Sequence, residues 1–339
     1  SSSRRKSMRF RMLAVYSLFM GSAFAGLQAQ QSDPRCSDPL IVGPTGSGGD
    51  ACQKTLDIFN YMTPQFGALL TGGNSTLGLA SATGGPGRFS ISVRATAMQA
   101  SIPNIEEVGV QTGSAQQSTY AVKDQPAGFP TADASIGVFG GVPVGVTRIL
   151  SVDALGSLTY VPSLSASGVD MNVGKSFQFG YGARLGLVQE SMVVPGISVS
   201  WIRRDLPSAT LTGSQDDDTV TVSGFGIETS AWRIVAGKSV GMFGLALGYG
   251  KDTYKSDAQL SYVVNEGLVR NTPPNGPYSL STKNSATNMF ADVSLNLIAV
   301  KIVAEIGRVK ADGGQTYNQF SKGANEPRLY GALGVRFGR

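Results

Sequence analysis

The chain holds no histidine in 339 residues. Ser-His and Asp-His hydrolytic pairs, in which an imidazole carries the proton, are therefore unavailable. A Ser-Lys pair or a carboxylate dyad stays open, but no local motif marks one, and the expectation is that the chain is not an enzyme. Asp216, Asp217 and Asp218 offer hard oxygen ligands of the kind Ca²⁺ takes. The same run also reads as a solvated loop tip, and no metal site is expected. Gly84–Gly87 and Gly244–Gly250 lack the strand–loop–helix setting of a phosphate-binding loop, and no cofactor is expected. Cys36 and Cys52 are the two cysteines. In an oxidising compartment they suit one disulfide across a short loop, and without histidine they make a poor metal site.

The remaining chemistry is that of charges placed in alternating segments. Phe89, Ile91, Val93 and Ala95 alternate with Arg88, Ser90, Ser92 and Arg94. Phe177, Phe179, Tyr181, Ala183, Leu185 and Leu187 alternate with Gln178, Arg184 and glycines. Phe243, Leu245, Leu247 and Tyr249 alternate with Gly244, Ala246, Gly248 and Gly250. Met289 to Leu297 places Asp292 on its polar side, Val300 to Ile306 places Lys301 and Glu305 there, and Arg328 to Phe337 places Arg328 and Arg336 there. Successive side chains of a strand point to opposite faces, so each segment has one greasy and one wet face. A segment of this kind ending on Phe337, shortly before Arg339, is similar to the terminal strand of bacterial outer-membrane β-barrels.

Short and long breaks between these segments take turns. Short ones fall near residues 143, 193, 240 and 298, and long ones near 115, 168, 215, 275 and 318. Outer-membrane barrels show that asymmetry, with short periplasmic turns and longer extracellular loops, and even strand numbers. The pattern predicts an all-β, transmembrane antiparallel β-barrel of about ten strands over residues 88–339, or twelve to fourteen if a long strand hides a hairpin. Charged residues are 15% of the chain, against about 25% in soluble domains. That balance also fits a large soluble β-sandwich. No Lys/Arg-rich run carries interleaved aromatics, so no nucleic-acid partner is expected.

Arg4, Arg5, Lys6, Arg9 and Arg11 precede the apolar run Met12–Phe24. Residues 1–29 read as a secretory signal peptide with cleavage after Ala25 or Ala29. Beyond it no apolar run reaches the roughly 20 residues of a spanning helix, and a closed barrel is the remaining way to satisfy backbone groups in lipid. The expected location is the outer membrane of a Gram-negative bacterium. Residues 30–87 lack barrel alternation. They carry a short helix over Ala51–Asn60, with Asp50 placed to cap it, and read as a periplasmic segment or a plug in the barrel mouth; a plain tether is the other reading.

A charge at the lipid midplane costs roughly 2–4 kcal/mol. Arg88, Arg94, Arg184, Asp292, Lys301, Glu305, Arg328 and Arg336 are therefore expected in the lumen. They line an anion-favouring pore or fill a narrow interior as ion pairs; a barrel of about ten strands favours the filled interior. Tyr181, Trp201, Trp232, Tyr249 and Phe337 are expected at the membrane interfaces, with Tyr160 and Tyr330 as further girdle positions. Tyr61-Met62-Thr63-Pro64, Gly72-Gly73-Asn74, Gly84-Gly85-Pro86-Gly87-Arg88-Phe89 and Ile102-Pro103 together resemble the opening of uncharacterised bacterial outer-membrane barrels. These are distantly similar to long-chain fatty-acid transporters, which have an N-terminal plug and fourteen strands. The resemblance implies a porin-like transport protein or channel for small or hydrophobic solutes, with outer-membrane lipid around it. The alternative is a filled structural barrel displaying loops 99–131 and 265–285 to a protein partner.

Overall fold

The computed structural model describes residues 31–38, 48–105, 108–111, 113–166, 169–215, 218–266, 269–271, 277–297, 300–312 and 315–338. The signal-peptide reading of residues 1–29 lies outside them, as do Asp216, Asp217 and the turn expected at Ile298-Ala299.

Ten long strands close into a ring. They are β1 (Phe89–Pro103), β2 (Val122–Phe139), β3 (Thr147–Tyr160), β4 (Phe177–Val188) and β5 (Gly196–Gln215). The other half comprises β6 (Asp218–Val240), β7 (Phe243–Glu266), β8 (Tyr278–Asn296), β9 (Val300–Asp312) and β10 (Arg328–Gly338). Each pairs antiparallel with its sequence neighbours, and β10 returns to β1, with Ile91 opposite Phe337 and Val93 opposite Val335. Closure leaves no edge, the condition lipid imposes on backbone N–H and C=O groups. The twelve or fourteen strands of a hidden hairpin are not formed. β5, β6 and β7 are instead continuous strands of 20, 23 and 24 residues.

The greasy faces point outward. On β7, Phe243, Leu245, Leu247 and Tyr249 are exposed and their neighbours Gly244, Ala246 and Gly250 buried. Above Tyr249 the outward row turns to Lys251, Lys255 and Asp257. On β9, Ile302, Ala304 and Ile306 give way to Arg308 and Lys310. The outward apolar row on β7 thus runs from Phe243 to Tyr249 before charge begins, the band a tilted strand presents to the hydrocarbon layer. The rest of β5–β7 rises beyond it on the side of the long loops. Tyr181, Trp201, Trp232 and Tyr249 lie outside on β4 to β7, with ring centroids 6.0 Å apart in the pairs Tyr181–Trp201 and Trp232–Tyr249. Phe337 and Tyr160 also face outward. Tyr330 does not join the girdle: its parity turns it inward, and it is buried.

Two polar stretches expected as loops are partly strand. β1 reaches Pro103, β2 starts at Val122 and β8 starts at Tyr278. Past the membrane a strand meets water outside as well as inside, so hydrophobic alternation fades while the ladder continues.

The helix, α1 (Gly48–Thr71), is longer at both ends than the expected Ala51–Asn60, and it runs through Pro64. An interior proline costs a helix about 3 kcal/mol. Here the turns on both sides are held by burial of Tyr61, Phe66, Leu69 and Leu70 inside the barrel. Asp50 lies in the first turn and faces a loop instead of serving as the cap.

Leu247→Arg puts a charge on the outward belt. It is expected to lower unfolding stability in lipid by roughly 2–4 kcal/mol, whereas Lys255→Leu, above the belt, leaves it nearly unchanged; urea unfolding from liposomes measures both.

Candidate functional site

α1 and residues 72–83 lie within the ring. Nine of the ten strands bond directly to this stretch: Ser101 and Arg94 of β1, Asp153 of β3, Arg184 of β4, Arg204 of β5, Arg233 of β6, Asp252 of β7, Asn288 and Asp292 of β8, Glu305 of β9 and Arg336 of β10. β2 contributes Asp133, which pairs with Arg94 at 3.1 Å and Arg204 at 2.8 Å.

The stretch runs from the long-loop end of the barrel to the short-turn end. α1 begins among the long loops. Asp50 accepts from the N–H groups of Gln111 (2.7 Å) and Gln116 (2.9 Å), and Lys54 donates to Gly109 O at 2.6 Å. Asp57 accepts from the N–H groups of Tyr317 and Asn318 at 3.1 and 2.8 Å. Burial pushes the Asp57 carboxyl up, against the pull of these donors. The chain then descends and reaches the short-turn end, where Gln189 donates to Ala82 O at 2.8 Å. Cys36 and Cys52 are bonded, which ties the preceding segment to the first turns of α1 at the long-loop end.

Below α1 lies a charged layer. Arg94, Arg184, Arg204, Arg233 and Arg336 face Asp133, Asp153, Asp252, Asp292 and Glu305, five of each sign, all buried. Arg184 pairs with Asp153 at 2.5 Å, and Arg233 pairs with Asp252. The arginines also hold the end of the helix. Arg204 donates to Thr71 O at 2.7 Å, Arg233 to Gly72 O at 2.9 Å, Arg94 to Asn74 O at 2.7 Å and Arg336 to Leu77 O at 2.8 Å. A helix C-terminus presents unpaired carbonyls and partial negative charge, which guanidinium groups match. The acids meet N–H groups instead: Glu305 accepts from Asn74 N at 2.8 Å, Asp292 from Gly78 N at 3.1 Å and Asp153 from Thr83 N at 2.9 Å. Gly72 ends the helix with φ +57, and a Cβ on Gly73 would collide with Glu305.

Of the eight charges expected in the lumen, Arg94, Arg184, Asp292, Glu305 and Arg336 belong to this layer. Arg88 does not: it precedes β1 and is exposed at the short-turn end. Lys301 is half-buried at the same mouth. Arg328 sits at the opposite end, donating to Ser101 Oγ at 2.6 Å and lying 5.9 Å from the centre of the Tyr61 ring. Sequence reasoning missed Arg204, Arg233, Asp133, Asp153 and Asp252. Parity could have found two of them, since each arginine sits an odd number of residues from an outward tryptophan, Trp201 or Trp232.

Above the layer, between α1 and the wall, is a cavity of about 410 Å³. The helix lines it with Ile58, Phe59, Met62, Phe66 and Leu69, the wall with Ile102, Ala127, Leu211 and Phe225, and the loop over it with Val108 and Val110. β3 pairs with β2 only from Thr131 onward. Residues 122–130 of β2 therefore have no ladder partner on that side among the described residues. Pro126 and Ala127 face the cavity from this margin, and Ser165 and Met171 from the hairpin across it.

No family model matches the chain, and no curated protein is similar to it. Among solved structures, the outer membrane protease OmpT of Escherichia coli matches at 11% identity and TM-score 0.42, over 75% of this chain and 97% of that one. The translocator domain of the autotransporter NalP of Neisseria meningitidis matches at 9% and 0.40, over 74% and 87%. The Pseudomonas putida toluene transporter TodX matches at 9% and 0.31, over 78% and 96%. The likeness is confined to barrel architecture. It nevertheless corrects the expectation that the chain is not an enzyme, because a protease stands among barrels of this shape. The chain is a closed, ten-stranded antiparallel β-barrel, and the solved barrels it is similar to are outer-membrane proteins.

Arg184→Ala leaves Asp153 buried without its cation and is expected to cost about 3–5 kcal/mol, read from the denaturant midpoint of refolded protein. Adding Asp153→Leu recovers only part of the loss, because Thr83 N–H then loses its acceptor. Since the start of α1 sits with the long loops, which are extracellular in such barrels, Cys36 and Cys52 are expected to react after mild reduction with a membrane-impermeant maleimide on intact cells.

Proposed function

We propose that this barrel binds a small hydrophobic molecule in the cavity beside α1 and admits it inward when residues 48–83, acting as a plug, shift. The observation that carries the reading is the cavity itself. It is apolar, of the size that small-molecule sites have, and lies inside a barrel whose outer loops open on one solvent and whose charged layer closes off the other. Val108 and Val110 cover it, and their neighbours Gly109 and Gln111 are tied to α1 through Lys54 and Asp50, so movement of the helix loosens this cover with it. The unpaired margin of β2 supports a side route to the cavity. A pore for hydrated ions is not supported, because the arginine–carboxylate layer and the helix end occupy the lumen.

A second reading has its own support. Nine buried charges bonded to one chain segment suit a permanently filled barrel that displays its loops to a partner.

Titrating naphthalene into the refolded, methyl-labelled chain distinguishes the two. Selective shifts of Ile58 and Ile102 are expected, with Ile302 and Ile306 on the lipid face moving only as free detergent does. Ala127→Trp fills the cavity and removes the selective shifts. Absence of such shifts, together with no uptake of the solute into proteoliposomes, leaves the filled barrel.

A further inference from the structure

Lys301 and Arg336 are register partners across β9 and β10, and both belong to the inward-facing rows. Two like charges opposite each other on one face of a ladder repel. Neither takes part in an ion pair among the described residues. Arg336 donates one nitrogen to Leu77 O at 2.8 Å, and Lys301 has no hydrogen-bond partner among those residues.

The same sheet contains the mirror case further in. Asp292 and Glu305 are also register partners, but the inner segment covers them. Asn74 donates its backbone N–H to Glu305 at 2.8 Å and its side-chain amide to Asp292 at 2.7 Å, and Gly78 N–H reaches Asp292 at 3.1 Å. The acidic pair thus meets donors supplied by the chain. The basic pair, Lys301 half-buried and Arg336 buried, borders a cavity of about 630 Å³ at the short-turn mouth, lined also by Ser81, Thr83, Gln189 and Lys238. Glu190 is the carboxylate on its rim, and it already accepts from Ser239 N–H at 2.5 Å. Arg88 and Arg148 add exposed positive charge at the same end.

We propose that this vestibule is an oxyanion site, taking a carboxylate or phosphate group between the Lys301 ammonium and the free edge of the Arg336 guanidinium. The anion supplies what the Asn74 and Gly78 donors supply to the acidic pair, hydrogen bonds between two groups that the ladder forces together, and adds the opposite charge. The site shares no residue with the apolar cavity, and its fate is independent of what that cavity binds.

The test uses the full disulfide-bonded chain in phosphatidylcholine nanodiscs, titrated with inorganic phosphate at constant ionic strength and followed by calorimetry. Saturable binding is expected, weakened about tenfold or more in Lys301→Gln, the scale of one charge-assisted bond. Arg336→Lys, which keeps the charge and loses the fork, falls between, and Arg308→Gln on the outer face binds as the parent does. Heat-modifiable gel migration confirms that each variant is folded. Repeating the titration in phosphatidylglycerol nanodiscs separates the sources. Unchanged binding assigns the site to a soluble anion, and binding suppressed by that lipid assigns it to the headgroup phosphate. No saturable binding in phosphatidylcholine, or equal binding by folded Lys301→Gln, overturns the proposal.

Discussion

Everything in this molecule follows from a solvent that offers backbone groups no hydrogen bonds. In lipid each unpaired N–H or C=O costs several kcal/mol, so the sheet must close and its strands must pair on both sides wherever they cross. β1 against β10 completes that requirement. Where β5 to β7 rise past the apolar belt, water takes over the role of partner. There the wall tolerates what the belt cannot: register shifts near Gly224, and a stretch of β2 with no neighbour on one side among the described residues.

Closing a barrel of ten strands leaves an interior too wide to fill with side chains from the wall alone and too narrow to stay an open channel once arginines point into it. The chain fills it with its own backbone. The end of α1 brings carbonyls, the turn after it brings N–H groups, and the wall answers with arginines for the former and carboxylates for the latter. Buried ion pairs are weak sources of stability, since desolvation offsets most of their attraction. Their effect here is positional. Each of the five arginines also bonds the inner segment, so one arrangement of that segment satisfies the layer and a displaced one leaves charges bare.

The layer divides the interior into two unlike chambers. Toward the long loops, helix and wall present isoleucine, methionine and phenylalanine to an apolar cavity. Toward the short turns, Lys301 and Arg336 border a polar one. The same β-alternation builds both. What differs is whether the inner segment covers the wall at that height.

Residues 243–249 and 328–337 already contain the outward greasy face, because a two-residue period has only one physical reading once a lipid is present. The alternation of short and long breaks likewise fixes the antiparallel order and the count near ten. Arg94, Arg184, Asp292, Glu305 and Arg336 were legible as inward charges by parity and by the cost of placing them in lipid. Their partners were not, because an ion pair across a lumen joins residues distant in sequence, as Arg204 joins Asp133, and no local period encodes that distance. The course of α1 from the long-loop end downward was equally hidden: its residues fit a helix at either mouth. Which mouth, and which carbonyls meet which arginines, was decided only when ten strands closed around it, since burial and hydrogen-bond satisfaction are properties of the assembled interior.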